Sequence, residues 1–289
     1  MKDSIQIQRT GFYTTIQDQG RFGYAHLGIP ESGVMDKKAM QLANTLVNNS
    51  LNEAVLEFTL VGPSIQFLCD RHFVITGGNT IATLDAKTIK NNTVYKGRKG
   101  QILELTKITE GCRGYFAIAG GMQSPSVLES KSMYVPITKS KTILKGASIP
   151  VGISQYGAIK GARLKIEKET AIISYLKEER LITYKGPEYD LLDEKLRADI
   201  SKKTFTISKL WNRMAIQLED TIAHKIPSIT TGPVIPGTVQ LTPSGRMMIL
   251  MQDCQTTGGY PRILQLSESA MNVLAQKKQD DTVSFLLTS

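Results

Sequence analysis

The chain has 289 residues, enough for two domains of average size, and 41% of them are hydrophobic, as in ordinary globular proteins with a sizeable core. It carries 35 lysines and arginines against 26 aspartates and glutamates, a formal net charge of +9. The positive residues are scattered and form no basic helical stripe. This argues against nucleic-acid binding, and an anionic small molecule or an acidic protein partner fits better. A surface that is merely solvated explains the same charge more simply than either.

Several common kinds of site are also excluded. The three cysteines are far apart without a C-x-x-C pair, and the three histidines lack metal-ligand spacing, so we expect neither disulfides nor a metal site. No glycine fingerprint for phosphate binding occurs. Because the chain begins without an apolar signal region and has no apolar run of about 18 residues, we expect a cytoplasmic protein without a membrane span.

The first elements follow from periodicity. Residues 4–8 alternate polar and apolar side chains, which predicts an opening strand. Residues 10–36 are rich in glycine, polar and aromatic residues with weak periodicity, which is typical of a functional or interface segment. Apolar residues at helical spacing then predict a helix over 36–47, with Asp36 as its N-cap.

The remaining elements are mainly short strands separated by Gly, Pro and Asn, a spacing that indicates an antiparallel barrel or sandwich. Residues 130–160 are predicted to be loops, and a boundary at 175/176 divides the chain into domains 1–175 and 176–289. The predicted strands are 53–60, 64–68, 72–76, 80–85, 101–106, 114–119, 162–166, 171–174, 180–184, 204–210, 247–251 and Thr282–Leu287; further helices are predicted from Pro187 to Leu196 and over 268–277.

The polar stretch that follows the apolar run Met247–Met251 is the richest in chemistry-capable side chains. It holds Asp253, Thr257 and the pair Gly258-Gly259, which lacks Cβ atoms and lets backbone N–H groups come close to a ligand. A tight turn between two core strands explains the same composition. Residue types alone therefore leave both interpretations open.

A second candidate stretch surrounds Arg21. A glycine beside an arginine lets the guanidinium reach a carboxylate or phosphate with two parallel hydrogen bonds. A folded loop with an Arg–Asp pair also explains these residue types, and residue types alone favour it.

Several short sequence motifs, which we call blocks, occur in the same order as in a known protein family. The chain contains, in order, the motifs T-I-Q-D-x-G-R-x-G, G-x-P-x-S-G-x-M-D, A-N-x-L-V, L-E-x-T-x-x-G-P, K-G-P-E, N-R-M and G-x-x-Q…D-x-Q-T-T-G-G-Y-P. The chain thereby resembles the allophanate-hydrolase-subunit-2 family. That family includes the C-type component of bacterial 5-oxoprolinase, the regulator KipA and one half of the urea-carboxylase carboxyltransferase domain. The blocks lie at Thr15–Gly23, Gly28–Asp36, Ala43–Val47, Leu56–Pro63, Lys185–Glu188, Asn212–Met214 and 237–261.

The resemblance implies a mainly β fold with a few short helices and cyclophilin-like β-barrel units. It also implies a heteromeric enzyme: the chain would be the C-type component of an ATP-dependent 5-oxoprolinase, which opens 5-oxoproline to glutamate. The expected partners are a subunit-1-like component of the B or KipI type and an A-type component of the LamB/YcsF kind. ATP would be used by the whole complex, at a site that the sequence does not locate.

Roles for individual residues are hypotheses that depend on the resemblance. Opening an amide calls for cations and N–H donors near the developing charge, with a carboxylate that handles the proton. The catalytic candidates are Arg21, Asp36, Arg213 and Asp253; the substrate-binding candidates are Gln17, Asn44, Asn212, Gln240, Thr257, Gly258, Gly259 and Tyr260.

The chain departs from the family pattern in two places. Glu129, Lys131 and Met133 stand where the family has Gly, Arg and Thr, and lysine lacks the planar fork for a two-bond anion contact. Trp211 and Ala215 replace a serine and a glycine. Two alternatives stay open: a carboxyltransferase that uses biotin carried by another chain and acts on urea or a small amide, and a KipA-like protein that binds a kinase inhibitor.

Overall fold

The computed structural model describes residues 3–154 and 174–288, and most of their regular structure is β-strand. The predicted class, mainly β with barrel units and a few short helices, is confirmed. The chain divides into one unit formed by Met1–Arg21 and Asp36–Leu176 and a second formed by Phe22–Met35 and Lys177–Ser289. In the described part, no helix is long and apolar enough to cross a membrane.

A nine-stranded sheet forms the first unit, with the central order β2-β3-β8-β4-β1-β9. Strand β5 pairs with β8 over most of its length and also carries β6 and β7. The pairings are antiparallel, as the short-strand pattern predicts. The strands are β1 Ser4–Arg9, β2 Tyr13–Gln17, β3 Val55–Thr59, β4 Ser64–Phe67, β5 Arg71–Leu84, β6 Lys87–Ile89, β7 Tyr95–Gly97, β8 Ile102–Ile118 and β9 Ser148–Pro150.

Strands β5 and β8 are each continuous, so the prediction of two shorter strands in place of each is wrong. Gly77-Gly78-Asn79 does not end a strand; it forms an irregularity at which the β5–β8 register shifts. Gly77 has a φ of +83°, and a Cβ there would lie 2.6 Å from the Arg113 carbonyl oxygen. Glycine is therefore required for a bulge within a continuous strand. The structure also adds β2 and β9, which fall in segments predicted without strands.

Helix α1, Lys37–Leu46, confirms the predicted helix and its cap. The Asp36 carboxylate accepts a hydrogen bond from the Ala39 N–H at 2.9 Å, which satisfies one of the unpaired donors of the first turn. In the core of this unit, the ring of Phe73 packs against those of Phe67 and Phe116, with centroid distances of 5.1 and 5.7 Å.

The second unit is a closed barrel in the order β10-β17-β14-β15-β12-β11-β18. Parallel pairing of β10 with β18 closes it, and a separate two-stranded sheet joins β13 to β16. The predicted strands at 180–184, 204–210, 247–251 and Thr282–Leu287 are confirmed. The strands are β10 Arg180–Lys185, β11 Phe205–Trp211, β12 Ala215–Thr221, β13 Gly232–Pro233, β14 Thr238–Leu241, β15 Arg246–Leu250, β16 Thr257–Gly258, β17 Arg262–Leu266 and β18 Thr282–Leu287.

The helix predicted from Pro187 to Leu196 is wrong in its bounds. Only a short 3₁₀ turn, Tyr189–Leu191, follows the proline. Helix α2, Glu194–Lys202, begins after Asp193, whose carboxylate accepts from the Leu196 N–H at 2.8 Å. Helix α3, Glu268–Ala275, confirms the last predicted helix. The strand predicted at 162–166 lies outside the described residues, as does all but the last residue of 171–174.

Candidate functional site

In the first unit, polar side chains converge on Asp18, which directly follows β2. Its Oδ1 accepts hydrogen bonds from the Ser130 and Ser132 hydroxyls, both at 2.6 Å, and from the Gly20 N–H at 2.9 Å. Its Oδ2 accepts the Lys131 N–H at 2.6 Å. We call these five residues the Asp18 cluster; it fixes the segment after Glu129 against the end of β2.

The family departures at residues 129 to 133 lie in or beside this cluster, whereas Trp211 and Ala215 lie in the second unit. Leu128 and Glu129 have φ values of +53° and +61° in a two-residue turn, so the glycine expected at 129 would suit the backbone better. Lys131 directs its ammonium away from Asp18, to Glu53 Oε1 at 2.6 Å and the Met122 carbonyl at 3.0 Å. The lysine therefore acts as an internal ion-pair partner here.

Arg21 and Gln17, both candidates from the sequence, lie against the same segment. Arg21 is 1% exposed and donates to the Ser132 carbonyl. The Gln17 amide donates to the Met133 carbonyl at 3.2 Å and to Thr15 Oγ1 at 3.1 Å. The structure thus brings both candidates to the Asp18 cluster.

Asp36 and Asn44 lie elsewhere in this unit and support its backbone. Asp36 is fully buried as the α1 cap, accepts from the Tyr175 hydroxyl at 2.5 Å, and its N–H donates to Tyr115 Oη. Burial, with the nearby carboxylates of Glu57 and Asp36, holds the Tyr115 pKa well above its ordinary value. Asn44 is also fully buried and donates to the Glu53 carbonyl at 2.7 Å.

In the second unit, Arg213 and Asp253 form a buried ion pair with two parallel bonds. Nε donates to Oδ2 at 2.8 Å and Nη2 to Oδ1 at 3.0 Å, while Nη2 also donates to the Gly33 carbonyl at 2.6 Å. The residues are 6% and 8% exposed. This geometry gives the strong form of the charge-assisted hydrogen bond. Through Arg213, these two predicted site residues are joined to Gly33, a residue distant in sequence.

A second ion pair of the same type involves Glu188, the last residue of the K-G-P-E block. Arg262 donates from Nε and Nη2 to its two carboxylate oxygens at 2.9 and 2.7 Å, and from Nη1 to the Pro233 carbonyl at 2.7 Å. The hydrogen bonds from Arg262 lower the pKa of Glu188. Two such pairs therefore bracket residues 254–261, which we call the 254–261 loop.

The 254–261 loop contains four of the eight substrate-binding candidates. Thr257 and Tyr260 are exposed, Tyr260 by 38%, whereas Gln240 is buried and its amide donates to the Tyr260 carbonyl at 3.5 Å. A Cβ on Gly258 would lie 2.6 Å from Gln240 Nε2, and the Gly259 carbonyl accepts from the Ile229 N–H at 3.0 Å. The loop thus has a fixed backbone and polar side chains that face solvent.

Asn212 shapes the turn between β11 and β12. Its side-chain oxygen accepts from the N–H groups of Met214 and Ala215, at 2.7 and 3.1 Å. A pocket of about 310 Å³ beside it is lined by Trp211, Met248 and neighbouring residues. Cys254, at the start of the loop, is buried, and this burial with nearby Glu31 and Asp253 raises its pKa to about 12.

Sequence reasoning missed several residues that build these clusters. Asp18 lies in the Q-D-x-G-R block and could have been found there, as could Glu188 in K-G-P-E. Glu53, Ser130 and Ser132 carry no sequence signal that links them to Asp18 or Lys131. In the part of the chain that the structure describes, no three His, Cys, Asp or Glu side chains are arranged to hold a metal ion.

The chain is similar to known proteins over nearly its whole length. The family model described as "Carboxyltransferase domain, subdomain A and B" matches residues 27–287. The chain belongs to this family. The C-type component of the 5-oxoprolinase of Escherichia coli is 31% identical over 291 residues, which are 99% of this chain and 91% of that protein. The resemblance to the family of allophanate hydrolase subunit 2 and the 5-oxoprolinase C-type component is confirmed.

This chain covers a smaller share of two further similar proteins. Urea amidolyase of Saccharomyces cerevisiae is 41% identical over 132 residues, which are 45% of this chain and 7% of that protein. The crystal structure of TTHA0988 matches 99% of this chain with a TM-score of 0.86 and 23% identity, and this chain covers 56% of that one. At this identity the match shows the fold.

Proposed function

We propose that this chain is the C-type component of an ATP-dependent 5-oxoprolinase, an amide hydrolase that is active only as a complex. The observation that carries the proposal is 31% identity to the corresponding 5-oxoprolinase component of Escherichia coli over nearly the full length of both chains. The proposed partners are a subunit-1-like B-type component and a LamB/YcsF-like A-type component. The proposed location is the cytoplasm.

The geometry supports the 254–261 loop as the substrate-contacting element in this unit. Ion pairs of Asp253 and Arg262 fix its two ends, while Thr257 and Tyr260 stay exposed. A site of this kind needs its contacting groups held in place before the substrate binds. We assign Thr257 and Tyr260 to substrate contact and Arg213 with Asp253 to positioning.

The buried arginines do not fit a nucleotide phosphate site within this chain. Arg213 uses Nε and Nη2 on Asp253 and Gly33, and Arg21 is 1% exposed. The ATP requirement therefore belongs to the complex in our proposal. A proton-handling role for Asp36 has little support, because the side chain is fully buried and caps α1.

The test is co-expression with the B-type and A-type components, followed by a glutamate assay with ATP and 5-oxoproline. We expect glutamate only when all three components and ATP are present. Tyr260→Phe and Thr257→Ala in this chain are expected to raise KM, because both side chains are proposed to contact substrate. Lys209→Ala is the matched control, since Lys209 is an exposed residue of the same unit outside the loop. A stable three-component complex that forms no glutamate would contradict the proposal.

The second candidate is a biotin-dependent carboxyltransferase, favoured by the match to urea amidolyase. The polar loop would then hold the acceptor amide, and the biotin would arrive on another chain. Carboxylation of urea that depends on a biotinylated carrier would support this candidate. The KipA-like alternative predicts tight binding of a subunit-1-like protein without turnover of either substrate.

A further inference from the structure

Ser32 and Gly33 form a strained turn that the rest of the second unit clamps in place. Their φ values are +55° and +89°, in the left-handed region that favours glycine. The Ser32 N–H donates to the Gln252 carbonyl at 2.9 Å, and the Gly33 carbonyl accepts from Arg213 at 2.6 Å. Serine therefore occupies a backbone conformation in which glycine would carry no strain.

The Ser32 hydroxyl adds a second unfavourable feature at the same residue. The residue is 0% exposed, and its Oγ has no hydrogen-bond partner within residues 3–154 and 174–288. Buried polar groups in native proteins are nearly always paired, and the exceptions call for an explanation. Alanine would remove the unpaired hydroxyl, and glycine would also remove the strain, so serine here is unfavourable for stability alone.

Backbone strain and unpaired polar groups concentrate at functional sites, where a ligand completes the missing interaction. The Ser32 turn contacts Gln252 and Arg213, and so lies against the fixed start of the 254–261 loop. We propose that the Ser32 hydroxyl determines substrate specificity by donating a hydrogen bond to a carbonyl or carboxylate oxygen of the small amide substrate. This inference rests on the proposed function.

The hydrogen bonds from Ser32 to Gln252 and from Arg213 to Gly33 also limit how the substrate reaches the hydroxyl. Because Ser32 is fully buried, the turn must move away from Gln252 before the hydroxyl can meet a ligand. The left-handed strain lowers the free energy needed for this movement. Arg213, held by Asp253, is the positioning residue that returns the turn to its place through the Gly33 carbonyl.

The first measurement is thermal unfolding of Ser32→Ala and Ser32→Gly. We expect the Tm of Ser32→Ala to equal or exceed that of the parent, because an unpaired hydroxyl is removed. Ser32→Gly should be higher still, since the strain is released. Ser208→Ala is the matched control: Ser208 is buried, its Oγ accepts from the Leu210 N–H at 3.1 Å, and its loss should lower the Tm by a few degrees. A Tm drop for Ser32→Ala as large as that of the control would overturn the inference.

The second measurement uses the three-component complex. Ser32→Ala should lower kcat/KM for 5-oxoproline at least tenfold, mainly through KM, whereas Ser208→Ala should leave it unchanged. An active parent complex with an equally active Ser32→Ala would overturn this inference and leave the proposed function standing.

An inactive parent complex would refute the proposed function instead, and calorimetric binding of 5-oxoproline then decides the inference. At least tenfold weaker binding to the Ser32→Ala complex would support it. Equal binding to the two complexes, or no binding to the parent, would overturn it.

Discussion

Two buried carboxylates, Asp18 in the first unit and Asp253 in the second, are stabilised in different ways. Asp18 accepts from two hydroxyls and two backbone N–H groups, all of them neutral donors. Asp253 accepts two parallel bonds from the Arg213 guanidinium. The first arrangement depends on backbone position and short side chains, and the second on one particular cation.

This difference explains why the first cluster tolerates the family departure at Lys131. Lys131 contacts Asp18 through its backbone N–H, which any residue except proline supplies, while its side chain pairs with Glu53. At the second cluster, lysine in place of Arg213 could not make the two parallel bonds. Substitutions at the two clusters should therefore differ strongly in their effect on stability.

The largest effect is expected from Arg213→Met. It leaves the Asp253 carboxylate buried without its cation, which destabilises proteins by about 3–5 kcal/mol. Chemical unfolding measures the loss. The double variant Arg213→Met/Asp253→Leu is the control and should recover most of it, though the Gly33 carbonyl still lacks its donor. A single variant within about 1 kcal/mol of the parent would contradict the importance of the pair.

A smaller loss is expected from Asp18→Ala. Two backbone N–H groups lose their acceptor, while the two serine hydroxyls can rotate to new partners, so we expect about 2–4 kcal/mol. Asp18→Asn keeps one acceptor oxygen and should fall between the parent and Asp18→Ala in the same unfolding measurement. Equal stability of all three proteins would show that the cluster does not hold the segment.

Lys131→Arg should change the unfolding free energy by no more than about 0.5 kcal/mol, because the backbone contact to Asp18 is unaffected and a guanidinium can still pair with Glu53. Lys131→Ala removes that pair and is the comparison variant, with an expected loss of about 1 kcal/mol. A loss above about 1.5 kcal/mol for Lys131→Arg would mean that the ammonium position itself is required.

The smallest expected effect is an increase in the free energy of unfolding. Glu129→Gly should stabilise the chain by about 0.5–1 kcal/mol, because the φ of +61° strains any residue with a Cβ. Glu129→Ala is the matched control: it removes the charge and keeps the strain, so its unfolding free energy should equal that of the parent. Equal gains from both variants would assign the effect to the charge.

The sequence predicted what depends on local chemistry. Periodicity and the Asp36 cap located α1, and the alternation over residues 4–8 located β1. The same reasoning failed at Gly77, where glycine serves a bulge within a strand, and at Pro187, where Asp193 begins the helix instead. A local window cannot distinguish these cases, because the partner strand or the cap decides them.

The candidate site shows the same limit. Arg213 and Asp253 were named because each lies in a family block, yet their pairing across 40 residues became visible only in the folded chain. Glu53 was not named, and Ser32 was noted only within the G-x-P-x-S-G-x-M-D block, without a role. A partner 78 residues away defines the role of Glu53, and backbone strain with a buried hydroxyl defines that of Ser32.

The most direct test of the proposed function is the ratio of ADP to glutamate formed by the three-component complex, with and without this chain. We expect one ADP per glutamate, formed only when the chain is present. Glutamate formed at the same rate without this chain, or a complete complex that consumes ATP without forming glutamate, would contradict it.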